Sequence, residues 1–99
     1  MVKIVVLYGQ PTDPAAFDQY YQQTHIPIAQ KIPNVKRFEF GHVLGTLTGD
    51  PAPYYLQAEL YFESPEQMQA SLNSDGGQAA AGDVANFATG GVTFIVVEA

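Results

Sequence analysis

The chain of 99 residues has the length of a single domain, because a second hydrophobic core would not fit within it. Hydrophobic residues make up 46% of it, enough for a globular fold and too many for a disordered one. The absence of Cys excludes disulfides, thiol nucleophiles and Cys-ligated metal sites. The net charge of −6, from 4 Lys and Arg against 10 Asp and Glu, leaves no basic surface for nucleic acid.

The first segment, Val2–Tyr8, is predicted to be a strand, because β-branched residues dominate it and Gly9-Gln10-Pro11 ends it. Both of its faces are apolar, which indicates a central strand. The apolar run is too short to span a bilayer and lacks the flanking features of a secretory signal. We therefore expect a cytoplasmic protein with no membrane contact.

The second segment is predicted to be a helix, since Asp13 is a favourable N-cap and Pro14 a favourable first residue. Pro27 lacks a backbone N–H and disfavours the helical region for the residue before it. We expect the helix to kink or break around Thr24–Pro27, with a short turn to about Lys31. One helical face carries residues at the appropriate spacing, namely Phe17, Tyr20, Tyr21, Thr24, His25 and Ile28.

Two alternating segments, Val35–Leu44 and Tyr54–Phe62, are predicted to pair as a hairpin around the turn Leu47–Pro53. Each segment divides its side chains between two faces. In the first, one face carries Phe38, Phe40 and His42, and the other carries Arg37, Glu39 and Gly41. In the second, one face carries Leu56, Ala58, Leu60 and Phe62, and the other carries Tyr55, Gln57, Glu59 and Tyr61.

The remaining segments complete the predicted fold. Ser64-Pro65-Glu66-Gln67 has the pattern of a capping box and opens a helix that ends near Asn73–Asp75. Gly76–Ala88 is predicted to be a second, shorter helix, and Gly90-Gly91 precedes a last strand, Val92–Glu98.

The order of these segments predicts an α+β, ferredoxin-like βαββαβ domain over residues 1–99, with a four-stranded antiparallel sheet and the helices on one face. A second copy is expected to cover the other sheet face, giving a homodimer.

His25 is the first candidate for chemistry, because it lies on the inward helical face beside Pro27. An imidazole exchanges protons near physiological pH, which suits proton transfer to or from an enolisable ligand. The alternative is a structural role, in which His25 packs on the sheet and bonds a backbone carbonyl freed by Pro27. His42, on a strand, is interpreted as a structural or interface residue.

Several aromatic residues are candidates for contacts with a small apolar or aromatic ligand, although the same residues would serve as core or dimer interface. They are Tyr8, Tyr20, Tyr21, Phe38 and Tyr61. Glu39 and Glu59 either form a pair suited to acid–base work or are solvated and paired with Arg37. The two His residues do not make a metal site without a borrowed carboxylate, and no glycine-rich phosphate loop is present, so no metal or other cofactor is expected.

The residues taken together resemble the EthD family over essentially the whole chain. One stretch is Phe17-Asp18-x-Tyr20-Tyr21-x-x-Thr24-His25-Ile26-Pro27, after Leu7-Tyr8 and Pro14, and its most specific part is Thr24-His25-x-Pro27, spaced after the Tyr pair. Further stretches that resemble the family are Lys31-Ile32-Pro33, Pro53-Tyr54-Tyr55, Leu60-Tyr61-Phe62-x-Ser64-Pro65-Glu66, and Asn86-Phe87 to Gly91-Val92.

This resemblance implies a dimeric α+β barrel in which His25 corresponds to the family's histidine. It also implies two functional hypotheses. The first is a cofactor-independent enzyme of the isomerase, dehydratase, decarboxylase or monooxygenase type (a lyase, isomerase or oxidoreductase), acting on a hydrophobic oxygenated small molecule by His-based acid/base chemistry. The second is a non-catalytic ligand-binding or accessory protein that supports an oxidative, P450-type degradation pathway.

Overall fold

The computed structural model describes residues 1–99. Four strands and four helices follow the predicted βαββαβ order, with a pair of helices at each helical position. The strands are β1 (Val2–Gly9), β2 (Arg37–His42), β3 (Tyr54–Phe62) and β4 (Val92–Glu98). The helices are α1 (Pro14–Tyr20), α2 (Ile26–Ala29), α3 (Pro65–Asn73) and α4 (Asp75–Asp83), with a π-helical segment (Tyr21–His25) joining α1 to α2 and a 3₁₀ turn (Val84–Asn86) after α4.

The strands form one sheet in the order β2-β3-β1-β4, and every neighbouring pair is antiparallel. The central position of β1 explains why both of its faces are apolar. Helices cover one face of the sheet, so the predicted ferredoxin-like arrangement is confirmed. The core lies between this face and the helices, and the strand residues that contribute to it are Ile4, Val6, Tyr8, Leu56, Ala58, Leu60 and Phe62.

The predicted kink or break around Thr24–Pro27 takes the form of a π-helical segment at Tyr21–His25, and the helical backbone continues without a break to Ala29. The Ile26 N–H donates to the Tyr21 carbonyl, five residues back, which widens the turn. In a regular α-helix the proline ring would clash with the carbonyl four residues earlier. The wider turn relieves this crowding without ending the helix, and π-helical turns of this kind are frequent at functional sites.

A bulge displaces one residue of β3 from the predicted alternation. Tyr8 pairs with Leu56 but Gly9 pairs with Tyr54, so Tyr55 is the extra residue. Its hydroxyl donates to the Asp18 carboxylate at 2.9 Å, and Asp18 belongs to α1. Tyr55 therefore reaches the helix side of the sheet, contrary to the prediction, because a bulge redirects the side chain that it carries.

The capping box before α3 forms only in part. The Ser64 hydroxyl accepts the Gln67 N–H at 3.2 Å, as predicted. The reciprocal bond from the Ser64 N–H is missing, and the Gln67 side-chain oxygen is buried without a hydrogen-bond partner. The N-cap hydroxyl and Pro65 at the first turn thus mark the start of α3.

Candidate functional site

The site is built around a contact between the π-helical segment that follows α1 and the end of α4. His25 is the last residue of the π-helical segment, and Asp83 is the last residue of α4. The Nδ1 atom of His25 lies 2.9 Å from Oδ2 of Asp83, and each side chain is only 7% exposed. A pair this deeply buried is held in one geometry by the packing around it.

Three side chains donate hydrogen bonds to the Asp83 carboxylate. The Tyr20 hydroxyl and the Asn86 amide reach Oδ1 at 2.6 and 3.0 Å, and the third donor is His25. Burial alone would raise the pKa of Asp83, but these bonds outweigh it and hold that pKa below its ordinary value. The bond to Asp83, in turn, is the main cause that raises the pKa of Tyr20.

The ionised Asp83 sets the tautomer of His25. An ionised carboxylate only accepts hydrogen bonds, so Nδ1 of His25 carries the proton in this contact. In the neutral imidazole the lone pair then lies on Nε2, which makes no bond to another protein group. The arrangement is that of a base oriented by a carboxylate, a pattern found in hydrolytic triads and in other acid–base sites.

His25 lines an apolar cavity of about 80 Å³ between the sheet and the helices. Of its 16 lining residues, 14 are hydrophobic, and small side chains from α4 form much of one wall. No Lys or Arg lines the cavity. The lining residues are Ile4, Val6, Tyr8, Tyr21, His25, Ala29, Ile32, Phe38, Ala58, Leu60, Leu72, Gly77, Ala80, Ala81, Val84 and Phe94.

Aromatic rings surround the imidazole. Tyr21 stacks on His25 with ring centroids 5.4 Å apart, and Phe87 lies 4.7 Å from His25. Tyr8 meets Tyr21 edge to face at 5.7 Å. Desolvation by burial is the main cause that raises the pKa of both Tyr8 and Tyr21, so their hydroxyls stay protonated and act as donors.

The structure brings together some of the predicted site residues and separates others. Tyr8, Tyr21 and Phe38 line the same cavity as His25. Tyr20 does not line it and instead donates to Asp83. Tyr61 lies on the opposite face, because β3 alternates and directs Leu60 to the helices. Its hydroxyl donates to Glu59 at 2.7 Å, and Tyr61 does not line the cavity beside His25.

Sequence reasoning missed Asp83 and Asn86. Asp83 is 58 residues from His25, and no local spacing connects the two. One signal was available, because Asp83 is the only charged residue between Asp75 and Glu98 and adjoins the apolar Val84. A lone acid on the inward side of an Ala-rich helix needs a buried partner.

The two predicted carboxylates pair in register but do not form an acid–base couple. Glu39 is directly opposite Glu59, and each has its own cation. Arg37 lies 2.8 Å from Glu39, and Lys3 lies 3.1 Å from Glu59. Hydrogen bonds, first from Tyr61 and then from Lys3, lower the pKa of Glu59, the opposite of what a functional pair would require.

His42 belongs to a separate, more exposed cluster. Its Nε2 lies 2.9 Å from Oδ1 of Asp18, the carboxylate that also accepts from Tyr55. Desolvation and the bond to Asp18 raise the pKa of Tyr55. The chain brings no three His, Asp or Glu side chains together in a metal-binding group, and none of its helices has the length and apolar character needed to cross a bilayer.

These features define the chain as a small ferredoxin-like α+β protein with a buried histidine–aspartate pair at an apolar cavity. A model of the EthD domain matches residues 9–91, and the chain belongs to the EthD family. It is 46% identical over 98 residues to a Rhodococcus erythropolis protein described as an uncharacterized 11.0 kDa protein in the thcB-thcC intergenic region, covering 99% of this chain and 94% of that one.

Solved structures agree with the fold. An EthD family protein from Bacillus halodurans has a TM-score of 0.93 and 34% identity, covering 100% of this chain and 98% of that one. A dimeric ferredoxin-like protein of unknown function from Thermobifida fusca has a TM-score of 0.73 at 15% identity, with 99% and 90% covered. The cofactor-independent oxygenase SnoaB from Streptomyces nogalater has a TM-score of 0.69 at 13% identity, with 99% and 91% covered. The last two are similar in fold alone.

Proposed function

We propose that this protein is a cofactor-independent enzyme that acts on a hydrophobic, oxygenated small molecule, with His25 as general acid/base. The observation that carries the proposal is the 2.9 Å contact between His25 and Asp83, both 7% exposed, at the wall of an apolar cavity. Asp83 holds the imidazole so that Nε2 is free to accept a proton, and it stabilises the imidazolium that forms.

The cavity limits the ligand. Its lining is almost entirely hydrophobic, with the Tyr8 and Tyr21 hydroxyls and His25 as the polar groups that would orient an oxygen atom. A volume of about 80 Å³ favours small ligands such as simple carbonyl compounds or lactones over polycyclic phenols. The cofactor-independent oxygenase of similar fold gives precedent for chemistry without a cofactor on this scaffold.

A non-catalytic binding protein is the second candidate. The same apolar cavity supports it, since an apolar ligand would gain its affinity from burial without any proton transfer. This candidate accounts less well for the buried His25–Asp83 pair, because taking ionisable groups out of water costs free energy that an apolar lining would not require.

A homodimer through the open sheet face belongs to the same proposal. Ile95 and Val97 of β4 lie on that face and are 45% and 38% exposed. Exposed apolar side chains on an edge strand favour coverage by a partner. The dimeric state of the Thermobifida fusca protein supports a second copy as that partner. The site residues lie on the other face, so the dimer would leave them in place.

A histidine-selective NMR titration against small ketones, lactones and phenols tests the site. A bound ligand is expected to move the His25 resonances and leave those of His42 in place, and the variant His42→Gln assigns the two rings. Any ligand that binds is then assayed for turnover. His25→Ala should retain the fold and the dimer but lose turnover, and full activity in that variant would remove His25 from the proposal. Binding without turnover would favour the second candidate.

A further inference from the structure

Two buried tyrosines, Tyr8 and Tyr21, have hydroxyls without a hydrogen-bond partner in the protein. The side chains of Tyr8 and Tyr21 are 2% and 1% exposed, and both line the cavity beside His25. The Gln67 side-chain oxygen is the one polar side-chain atom that is both completely buried and without a hydrogen-bond partner. The hydroxyls of Tyr8 and Tyr21 are therefore not completely buried. Each hydroxyl keeps some accessible area, and the cavity is the space that both residues line.

Buried hydroxyls in proteins are nearly always hydrogen-bonded, because an unpaired one loses its bonds to water without replacement. Neighbouring tyrosines show how the same chain satisfies this need elsewhere. Tyr20 donates to Asp83, and Tyr61 donates to Glu59. Tyr8 and Tyr21 instead present two donors to one small space, which is the arrangement needed to bind a single ligand oxygen.

The charges around the cavity indicate whether the ligand that supplies this oxygen is charged or uncharged. Lys3, Lys31, Lys36 and Arg37 are all the cationic side chains of the chain, and none lines the cavity. The nearest full charge is the Asp83 carboxylate behind His25, at 2.9 Å. A carboxylate or phosphate ligand would be buried next to this anion without a counter-charge. The site therefore favours a ligand that enters uncharged.

We infer that the substrate is a small, uncharged carbonyl compound, and that the site removes a proton from the carbon next to its carbonyl group. The inference rests on the proposed function and specifies its reaction. The C–H bond breaks and its proton passes to Nε2 of His25, while the electron pair forms the enolate. Tyr8 and Tyr21 donate to the oxygen that gains the negative charge. Return of a proton from the imidazolium completes a neutral cycle that needs no oxidant or reductant.

The size of the cavity selects the probe. A cavity of roughly 150 Å³ admits benzene, so the present volume of about 80 Å³ suits a compound smaller than an aromatic ring. Butanone is uncharged and has enolisable protons. Pyruvate is similar in size and also enolisable but carries a carboxylate. The pair separates recognition of charge from recognition of the carbonyl group.

Two NMR measurements test the inference on the intact chain. The carbonyl ¹³C resonance of labelled butanone should move downfield on binding, because two donors polarise the bond. The protons next to the carbonyl should exchange for deuterium in D₂O faster than in buffer alone. Pyruvate should show neither effect. Exchange of pyruvate at the same rate would overturn the selection for uncharged ligands.

Conservative variants separate the roles. Tyr8→Phe and Tyr21→Phe keep the ring and remove only a hydroxyl without a protein partner, so both should fold as the wild type does in thermal melting. Each should reduce the downfield shift and slow exchange about 100-fold, the effect typical of losing one such donor. Tyr54→Phe, outside the cavity, is the control. Unchanged shift and exchange in both cavity variants would overturn the oxygen site.

The failures of the two proposals are distinguishable. His25→Ala should return exchange to the buffer rate while the butanone resonance still shifts, because the donors remain. If wild-type protein binds butanone with a shifted resonance but never speeds exchange, the proton-transfer step is wrong and the binding site stands. If no carbonyl compound is affected while another ligand moves the His25 resonances and is turned over, the inference fails and the proposed function survives.

Discussion

Tyr20 and His25 donate to the two oxygens of one carboxylate, that of Asp83, although five positions separate them on a single helix. In a regular α-helix such residues point about 140° apart. The π-helical segment between them widens the turn and brings the two side chains towards the same side. The local backbone irregularity is therefore a condition of the site, and we expect Pro27 to be its cause, because its ring is incompatible with regular α-helical bonding.

Replacement of Pro27 by Ala should disturb this geometry. Without the ring, the segment is free to adopt regular α-helical bonding, which turns His25 away from Asp83. We expect the downfield Nδ1–H resonance of His25 to weaken or disappear in the ¹H NMR spectrum. Pro14→Ala is the control, because Pro14 occupies the first turn of α1, where an N–H is not needed. An unchanged resonance in Pro27→Ala would show that the wide turn has another cause.

Asp83→Asn should destabilise the fold at neutral pH. Hydrogen bonds to a buried charged group contribute about 1.5–3 kcal/mol, and the amide that replaces the carboxylate cannot accept equally from three donors. Urea unfolding at pH 7 measures this loss. Asp75→Asn, an exposed position on the same helix, should change the free energy of unfolding by much less. Equal effects at the two positions would contradict the assigned network.

Wild type and Asp83→Asn also test how the free energy of unfolding depends on pH, and the direction of the change can be predicted. The pKa of Asp83 is lower in the folded chain than its ordinary value of 3.8, so the carboxylate stabilises the fold above that value. This contribution is lost as the pH falls through the folded pKa. The difference in unfolding free energy between wild type and Asp83→Asn should therefore shrink as the pH falls below about 4. A difference that persists or grows on acidification below about pH 4 would reverse the assigned shift.

Two glycines of α4 should respond oppositely to the same substitution. A Cβ at Gly77 would overlap the Ser71 carbonyl and the Leu72 backbone, whereas one at Gly82 meets nothing within 4 Å. We expect Gly77→Ala to lower the melting temperature. Gly82→Ala should raise stability by about 0.5–1 kcal/mol, because alanine restricts the unfolded chain and favours helix. Calorimetry of both variants checks the packing of α4, and stabilisation by Gly77→Ala would contradict it.

The open sheet face is testable by charge insertion. Ile95→Lys places a cation on this face, and if a second copy covers it, burial of the unpaired charge should dissociate the dimer. Size-exclusion chromatography with light scattering reads the mass directly. Ala79→Lys, on the exposed surface of α4, is the matched control. If the Ile95→Lys protein remains dimeric, the dimer interface does not lie on this sheet face.

Much of the architecture follows from local patterns in the sequence. Alternation in Tyr54–Phe62 and the double-sided apolar character of β1 predict strands and their places, because burial of each face depends on side chains two residues apart. The bulge at Tyr55 and the π-helical turn at Tyr21–His25 escape such patterns. Both are responses of the backbone to neighbours that only the folded chain supplies.

The site was predictable only in part for the same reason. His25, Tyr8 and Tyr21 are visible as a histidine and aromatics on inward faces. Asp83 lies on a different helix, and its role depends on packing between α2 and α4 across 58 residues of sequence. Residue spacing within one segment does not predict a contact between two distant segments, so the His25–Asp83 pair could not be predicted in this way.

The residues of this chain that line the cavity all lie on or above the helix-covered side of the sheet. Assembly through the opposite side would therefore multiply sites without sharing them. Ligand stoichiometry should equal the number of chains, and occupancy of one copy should leave the affinity of the next unchanged. A mixed dimer with one His25→Ala subunit should accordingly retain half of the wild-type turnover.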